Sequence, residues 1–176
     1  MHPIIYDVAV SADGFIAGPN ADISAFPHQG TVVDDYVARL PVYSTVLMGR
    51  ATYEFGYGFG LLPGANPYPW ARSIVVSSGL TLPETADVEI WRAAPEGALR
   101  ALREASAGPI YLCGGGVLAA HLLAMGQIDR LRLKRAPILL GGGVPLFAAM
   151  ARPPVLTLRD QRDHANGLIY QEFALS

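Results

Sequence analysis

Apolar residues fall along this chain in short β-branched runs that alternate with segments repeating every three or four residues, a pattern that predicts strands alternating with helices. Residues 4–10 read as an opening strand. Residues 11–20 turn out of it into a glycine- and proline-containing loop that reaches about His28, and a loop of that length inside a domain is seldom idle. Thr31 is placed to cap a helix running to Leu40, with Val33, Tyr36, Val37 and Leu40 on one face and Pro41 ending it. Thr45–Gly49 is the next strand, Arg50–Phe55 a short helix directly after its glycine, and residues 73–77 a buried strand beyond a loop rich in glycine, proline and aromatics. Residues 87–91 alternate like a half-exposed neighbour. Pro95 sits in the first turn of a helix through about Ser106, with Leu99 and Leu102 inward and Glu96, Arg100 and Glu104 on a solvated face. A strand at 110–113 and a helix at 117–125 follow, and Gly126 stops that helix. Residues 128–137, 153–159 and 168–174 read as three closing strands, with a turn of helix near Leu146 and Phe147 between the first two. Alternating strands and helices imply a sheet covered on both faces, and consecutive strands at the end imply an antiparallel edge. The expectation is one α/β domain over residues 1–176: a three-layer α/β/α sandwich on a mixed, mostly parallel sheet with an antiparallel C-terminal edge.

Composition narrows the function classes. With 176 residues and 51% hydrophobic composition the chain suffices for a single large core. Net charge is −2 and the basic residues, all arginine except Lys134, are scattered, so no stripe for nucleic acid or an anionic membrane is expected. No apolar run approaches the ~20 residues of a membrane helix, and no secretory leader is read at the start. The single cysteine, Cys113, rules out an internal disulfide, fits a reducing cytoplasm and reads as an apolar filler. His2, His28, His121 and His164 lack metal-ligand spacing, so no metal is expected. The low charged fraction, 16%, favours a subunit interface.

Two glycine triplets carry the strongest chemical signal. Residues 110–116 (Ile-Tyr-Leu-Cys-Gly-Gly-Gly) and 138–143 (Ile-Leu-Leu-Gly-Gly-Gly) each read as an apolar strand ending where backbone must come close to a ligand or to another main chain. A helix begins after the first triplet, so its free N–H groups and macrodipole suit an anion such as a cofactor pyrophosphate. Gly49, Arg50 and Thr52 form a second candidate anion site at a helix start, and Ser77, Ser78 and Arg92 lie at strand ends where a ribose phosphate could be met. For proton chemistry Asp34 is preferred to Asp35, because the periodicity puts it beside the apolar face of the first helix, where lost solvation raises a carboxyl's pKa. Asp13 reads as a turn residue, and no G-x-S-x-G elbow supports a serine hydrolase.

In order along the chain, Val-Ser-Ala-Asp-Gly-Phe-Ile-Ala (10–17), Gly-Arg-Ala-Thr-Tyr-Glu (49–54), the first triplet segment and Pro-Ile-Leu-Leu-Gly-Gly-Gly-Val-Pro-Leu-Phe (137–147) resemble the dihydrofolate reductase fold. More closely, they resemble stand-alone relatives of the C-terminal reductase domain of the bacterial riboflavin-biosynthesis deaminase-reductase. The resemblance implies NADPH binding, with Ala9 and Ile16 at the nicotinamide, Gly49, Arg50 and Thr52 on phosphates, Ser77, Ser78 and Arg92 on the adenosine 2′-phosphate side, and Gly114, Gly115, Gly116, Val117 and Leu118 on the pyrophosphate. It also implies a Gly114–Gly115 peptide that can be cis, a flap from Ser11 to His28, and a homodimer paired through the terminal strands. Asp7 stands where the riboflavin-pathway reductases usually carry a lysine, Ala119 where the dihydrofolate reductases carry an aromatic, and no deaminase motif is present. By this resemblance the expected function is an NADPH-dependent reductase acting on a small pterin-like or pyrimidine/ribosylamino-type molecule, related to 5-amino-6-(5-phosphoribosylamino)uracil reductase, with Asp34 and Tyr36 protonating or anchoring the substrate. The alternatives are a nucleotide-binding protein of the same fold without turnover, a true dihydrofolate reductase, and a structural domain without dinucleotide affinity.

Overall fold

The computed structural model describes residues 1–150 and 153–176. Its strands are β1 (Ile4–Ser11), β2 (Phe15–Ala17), β3 (Thr45–Gly49), β4 (Arg72–Val76), β5 (Glu89–Trp91), β6 (Ile110–Gly114), β7 (Arg130–Ala136), β8 (Val144–Pro145), β9 (Leu156–Asp163) and β10 (Ile169–Leu175). The α-helices of the described residues are α1 (Thr31–Arg39), α2 (Arg50–Phe55), α3 (Glu96–Ala105) and α4 (Gly116–Ala124). Eight strands form one sheet in the order β5-β4-β3-β6-β1-β7-β10-β9. Neighbours from β5 to β7 run parallel, whereas β10 is antiparallel to both β7 and β9. This is the mostly parallel sheet with an antiparallel C-terminal edge that the pattern predicts.

Alternation along the central strands sends side chains to two separate cores. Ile4 and Tyr6 of β1, Leu47 of β3 and Leu112 of β6 pack with Leu99 and Leu102 of α3 and with Leu118 and Leu122 of α4. On the opposite face Ile5, Val46, Met48, Val75 and Tyr111 pack with Tyr53 of α2 and with Tyr36 of α1. Fully buried central strands read as continuous apolar runs because both of their faces are covered.

Four local expectations are corrected. Gly30, with φ 106°, precedes α1 and no side chain caps it; the Thr31 hydroxyl lies 2.8 Å from His164 Nδ1 instead. The inward face of α1 is Val32, Val33, Tyr36 and Leu40 rather than one that includes Val37, which is 56% exposed. At roughly 100° per residue that rotation turns Asp34 about 150° from the centre of the face. No helix forms near Leu146 and Phe147, where the short strand β8 instead pairs with β2. Finally, residues 138–140 form no strand: the second triplet follows a loop, not an apolar strand end.

Candidate functional site

A cavity of about 400 Å³ opens over the carboxyl halves of β1 and β7. Ala9 and Ala136 keep its sheet floor low, α1 contributes Val32, Val33 and Tyr36, and the long first loop contributes Ile23, Phe26, Pro27 and His28. Phe26 is buried against Val32, Ala136 and Leu168, which fastens the loop over the cavity. Asp13 fastens its root: the carboxylate accepts from the Ser11 hydroxyl and from the N–H groups of Leu140 and Gly141, and these bonds hold it below the usual carboxylate range. Ala9, Ile16 and Tyr36, all expected at the nicotinamide or substrate, do line this cavity. Asp34 does not; it is exposed and stands apart from the cavity wall. The first-helix carboxyl assignment is therefore corrected by the rotation of α1.

Among the described lining residues the carboxylate and the ammonium are Asp7 and Lys134, with His28 as a further basic group; sequence reasoning had not put Asp7 or Lys134 at the site. Asp7 (β1) and Lys134 (β7) project from the same sheet face, and Lys134 Nζ donates to Asp7 Oδ1 at 2.7 Å. The Tyr43 hydroxyl and Arg39 Nη2 donate to Asp7 Oδ2 at 3.1 and 3.4 Å. Arg132, one step along β7, donates to Tyr43 Oη at 3.0 Å and pairs with Glu172. The Tyr36 ring lies 3.6 Å from Lys134 Nζ, a cation–π contact. Burial opposes charge on Asp7, but the combined fields of Lys134, Arg39 and Arg132 keep its carboxyl below the ordinary range. Burial is also the main influence on Lys134 and lowers its ammonium, with Asp7 restoring only part of the loss.

Phenols surround this pair. Tyr36 Oη and Tyr111 Oη are 2.8 Å apart, and Tyr68 Oη lies 3.3 Å from Cys113 Sγ. Burial pushes Cys113 up, so its thiol is an apolar filler rather than a nucleophile. Burial likewise raises Tyr6, Tyr36, Tyr43, Tyr68 and Tyr111 well above the ordinary phenol range, and Tyr170 to about 12. The unfolded chain releases these protons near pH 10 while the folded protein keeps them, so stability is intact below pH 10 and lost as pH rises beyond it. The larger part of the phenolate absorbance at 295 nm, that of these six tyrosines, is expected to rise in one step together with loss of helical circular dichroism. A gradual rise in protein that is still folded would contradict it.

A second cleft, about 430 Å³, is bounded by the start of α2, the start of α4 and β8. Gly49, Arg50 and Thr52 line it from one side, and Gly115, Gly116, Val117 and Leu118 from the other. Gly114, at φ 122°, stands just behind, and the Gly114–Gly115 peptide is cis. Among the described residues the N–H groups of Gly116, Val117 and Leu118 donate to no protein acceptor, because the first bond of α4 is Ala119 N–H to Gly115 O. Arg50 Nε is held by Glu54 at 2.9 Å, and its Nη1 lies near Gly79, beside the turn that follows β4. In that turn the Ser77 hydroxyl accepts from Gly79 and Leu80, while Arg92 Nη1 donates to the carbonyls of Ser77, Ser78 and Leu80. Ser77, Ser78 and Arg92 thus sit together, outside the cleft lining and next to Arg50. Bare N–H donors, a hydroxyl and a guanidinium fit a dinucleotide pyrophosphate. The glycines have a second cause: a Cβ on Gly116 would stand 2.2 Å from the Pro145 carbonyl oxygen.

The architecture matches solved structures across nearly its whole length. A protein of Shewanella sp. PV-4, provisionally assigned to riboflavin biosynthesis, is 24% identical, with TM-score 0.83 and coverage of 100% of this chain and 99% of its own. The diaminohydroxyphosphoribosylaminopyrimidine deaminase/5-amino-6-(5-phosphoribosylamino)uracil reductase of Thermotoga maritima is 18% identical with TM-score 0.74; the match covers 99% of this chain and 57% of that longer one. Dihydrofolate reductase of Enterococcus faecalis, complexed with NADP(H), is 17% identical with TM-score 0.66, covering 99% and 96%. These likenesses establish the dihydrofolate reductase-like fold. The family itself is fixed by sequence: the RibD C-terminal domain pattern matches residues 3–170, and the chain belongs to that family.

Proposed function

We propose that this protein is an NADPH-dependent reductase, with the dinucleotide held along the second cleft and a small conjugated substrate received in the first cavity. The observation that carries the reading is the set of donors around the second cleft: the first three N–H groups of α4, the Thr52 hydroxyl and the Arg50 guanidinium, whose Nε pairs with Glu54 while its Nη groups lie beyond that bond. Gly49 and Gly114 to Leu118 would hold the pyrophosphate, and Ser77, Ser78 and Arg92, gathered beside Arg50, the 2′-phosphate. When bound, NADPH supplies a hydride; the protein supplies orientation and a dry, closed cavity. Ala9 and Ile16 give apolar contact at the nicotinamide end, Tyr36 walls the substrate, and the loop pinned by Asp13 and Phe26 keeps water out.

Titrating NADPH into the protein and following the nucleotide's fluorescence tests the reading. Arg50→Ala is expected to weaken binding by about 1.5 to 3 kcal/mol, the worth of a charge-assisted hydrogen bond. Wild-type protein that binds neither NADPH nor NADP would end the proposal. Binding without oxidation of NADPH by any pterin or pyrimidine acceptor would favour a nucleotide-binding role without turnover.

A further inference from the structure

We infer that the first cavity selects an uncharged, flat ring through its carbonyl edge, read by the Lys134–Asp7 pair, and that it discriminates against phosphorylated substrates. The inference rests on the reductase reading for the cavity's identity as the substrate site, and deepens it by naming the substrate class.

Lys134 carries three N–H donors, and only the one to Asp7 has an acceptor among the described residues. Its side chain is 10% exposed, so the remaining donors are withheld from bulk water and face either the Tyr36 ring or the cavity. The donors that Asp7 does not engage are free to be taken on the cavity side by a ligand carbonyl or ring nitrogen in place of water. Asp7 already accepts from Lys134, Tyr43 and Arg39, which fixes the ammonium's direction.

The charge balance decides between an uncharged ring and a phosphate ester. A phosphate asks for guanidinium or ammonium groups that are free to pair with it. Among the described residues no arginine lines this cavity, and Lys134 is neutralised by Asp7. The two nearby guanidinium groups are turned away: Arg39 binds Asp7 and lies over the Tyr170 ring, and Arg132 binds Glu172 and Tyr43. His28 is the only other basic residue of the described lining. The rest is apolar wall from Ile16, Ile23, Phe26, Val32 and Leu168 over a floor of small alanines, which suits the faces of a planar ring and would leave a dianion unsolvated.

The test is isothermal titration, without nucleotide, of a matched pair: 6-(ribitylamino)uracil and its 5′-phosphate. The uncharged compound is expected to bind at least about tenfold tighter. Lys134→Met is expected to weaken it about tenfold, equivalent to one charge-assisted hydrogen bond, while NADPH affinity stays within about twofold. Should that variant not fold, Lys134→Gln combined with Asp7→Asn keeps a neutral hydrogen-bonded pair, and the same loss is expected. Equal or tighter binding of the phosphate, no effect of either variant, or no binding of the uncharged ring each overturns the inference. Because NADPH is titrated separately, failure here leaves the cofactor reading standing, and failure there is seen independently.

Discussion

Gly143→Ala is expected to destabilise the protein by about 4 kcal/mol and to lower its melting temperature by about 10 °C. Two independent causes act at that position. Its φ of 121° lies where an L side chain is strained, and a Cβ would stand 2.2 Å from the Ala17 carbonyl oxygen and 2.4 Å from the Gly18 carbonyl carbon. Both are main-chain atoms at the end of β2, so neither can step aside by a change of rotamer. Gly142 is the internal control. Nothing lies within 4 Å of a Cβ built there, and its φ is ordinary, so Gly142→Ala is expected to shift stability by less than about 0.5 kcal/mol. Thermal melts of the two variants followed by circular dichroism make the comparison. Equal melting temperatures would mean that the β2–β8 contact is not tight in solution.

The same triplets show what could be read from the chain and what could not. Close approach is legible, because three glycines in succession give up every side-chain contact and suit little besides a neighbour at main-chain distance. The identity of the approaching group is not: Gly116 and Gly143 admit neighbouring main chain, whereas the N–H groups that follow Gly115 open onto a cleft. Strands β3 and β4 were legible because a short, continuous β-branched run is too brief for a buried helix and suits a central strand covered on both faces. Helix α3 was legible because Leu99 and Leu102 contrast with charged neighbours. The rotation of α1 was not. Val33 and Val37 make as good an apolar stripe as Val32 and Tyr36, and the choice is set by tertiary contacts with Phe26, Leu168 and the sheet.

Lys134 was missed for a related reason. Arg130-Leu-Arg-Leu-Lys-Arg alternates like a strand with one wet face, and on that pattern the polar positions belong to solvent. Here α1 covers that face, and Arg132 and Lys134 meet Asp7, Glu172 and Tyr43 beneath it. Two signals pointed there: a carboxylate in the middle of the apolar run of β1, and a single lysine in a chain otherwise furnished with arginine. The resemblance to the riboflavin-pathway reductases leads to the expectation of a lysine on the first strand; this chain has Asp7 there, and the ammonium that meets it comes from Lys134 of β7. A one-sequence reading sees the aspartate and has no pairing register with which to see the ammonium.

Asp7→Ala is expected to cost about 3 to 5 kcal/mol, the penalty for leaving a buried charge without its partner. The Asp7 side chain has no solvent exposure, and its removal leaves Lys134, Arg39 and Arg132 close together with Glu172 as the remaining carboxylate of the group. The pH dependence has a definite sign. In the wild type the folded pKa of Asp7 lies below its unfolded value, so its contribution is fully present above about pH 4 and is lost as pH falls through the folded pKa. In the variant nothing offsets the burial that already lowers the Lys134 ammonium. Between that lowered pKa and the unfolded value of about 10.4, the unfolded chain binds more protons than the folded one, so stability rises with pH. Urea midpoints are therefore expected to show the gap between wild type and Asp7→Ala narrowing from pH 7 to pH 9.5. Adding Lys134→Met to the Asp7→Ala background is expected to restore part of the loss by removing the orphaned charge, and the double-mutant cycle measures the coupling directly. A double variant no more stable than Asp7→Ala would show that the aspartate acts through packing and its bond to Tyr43, with the ammonium indifferent to its partner.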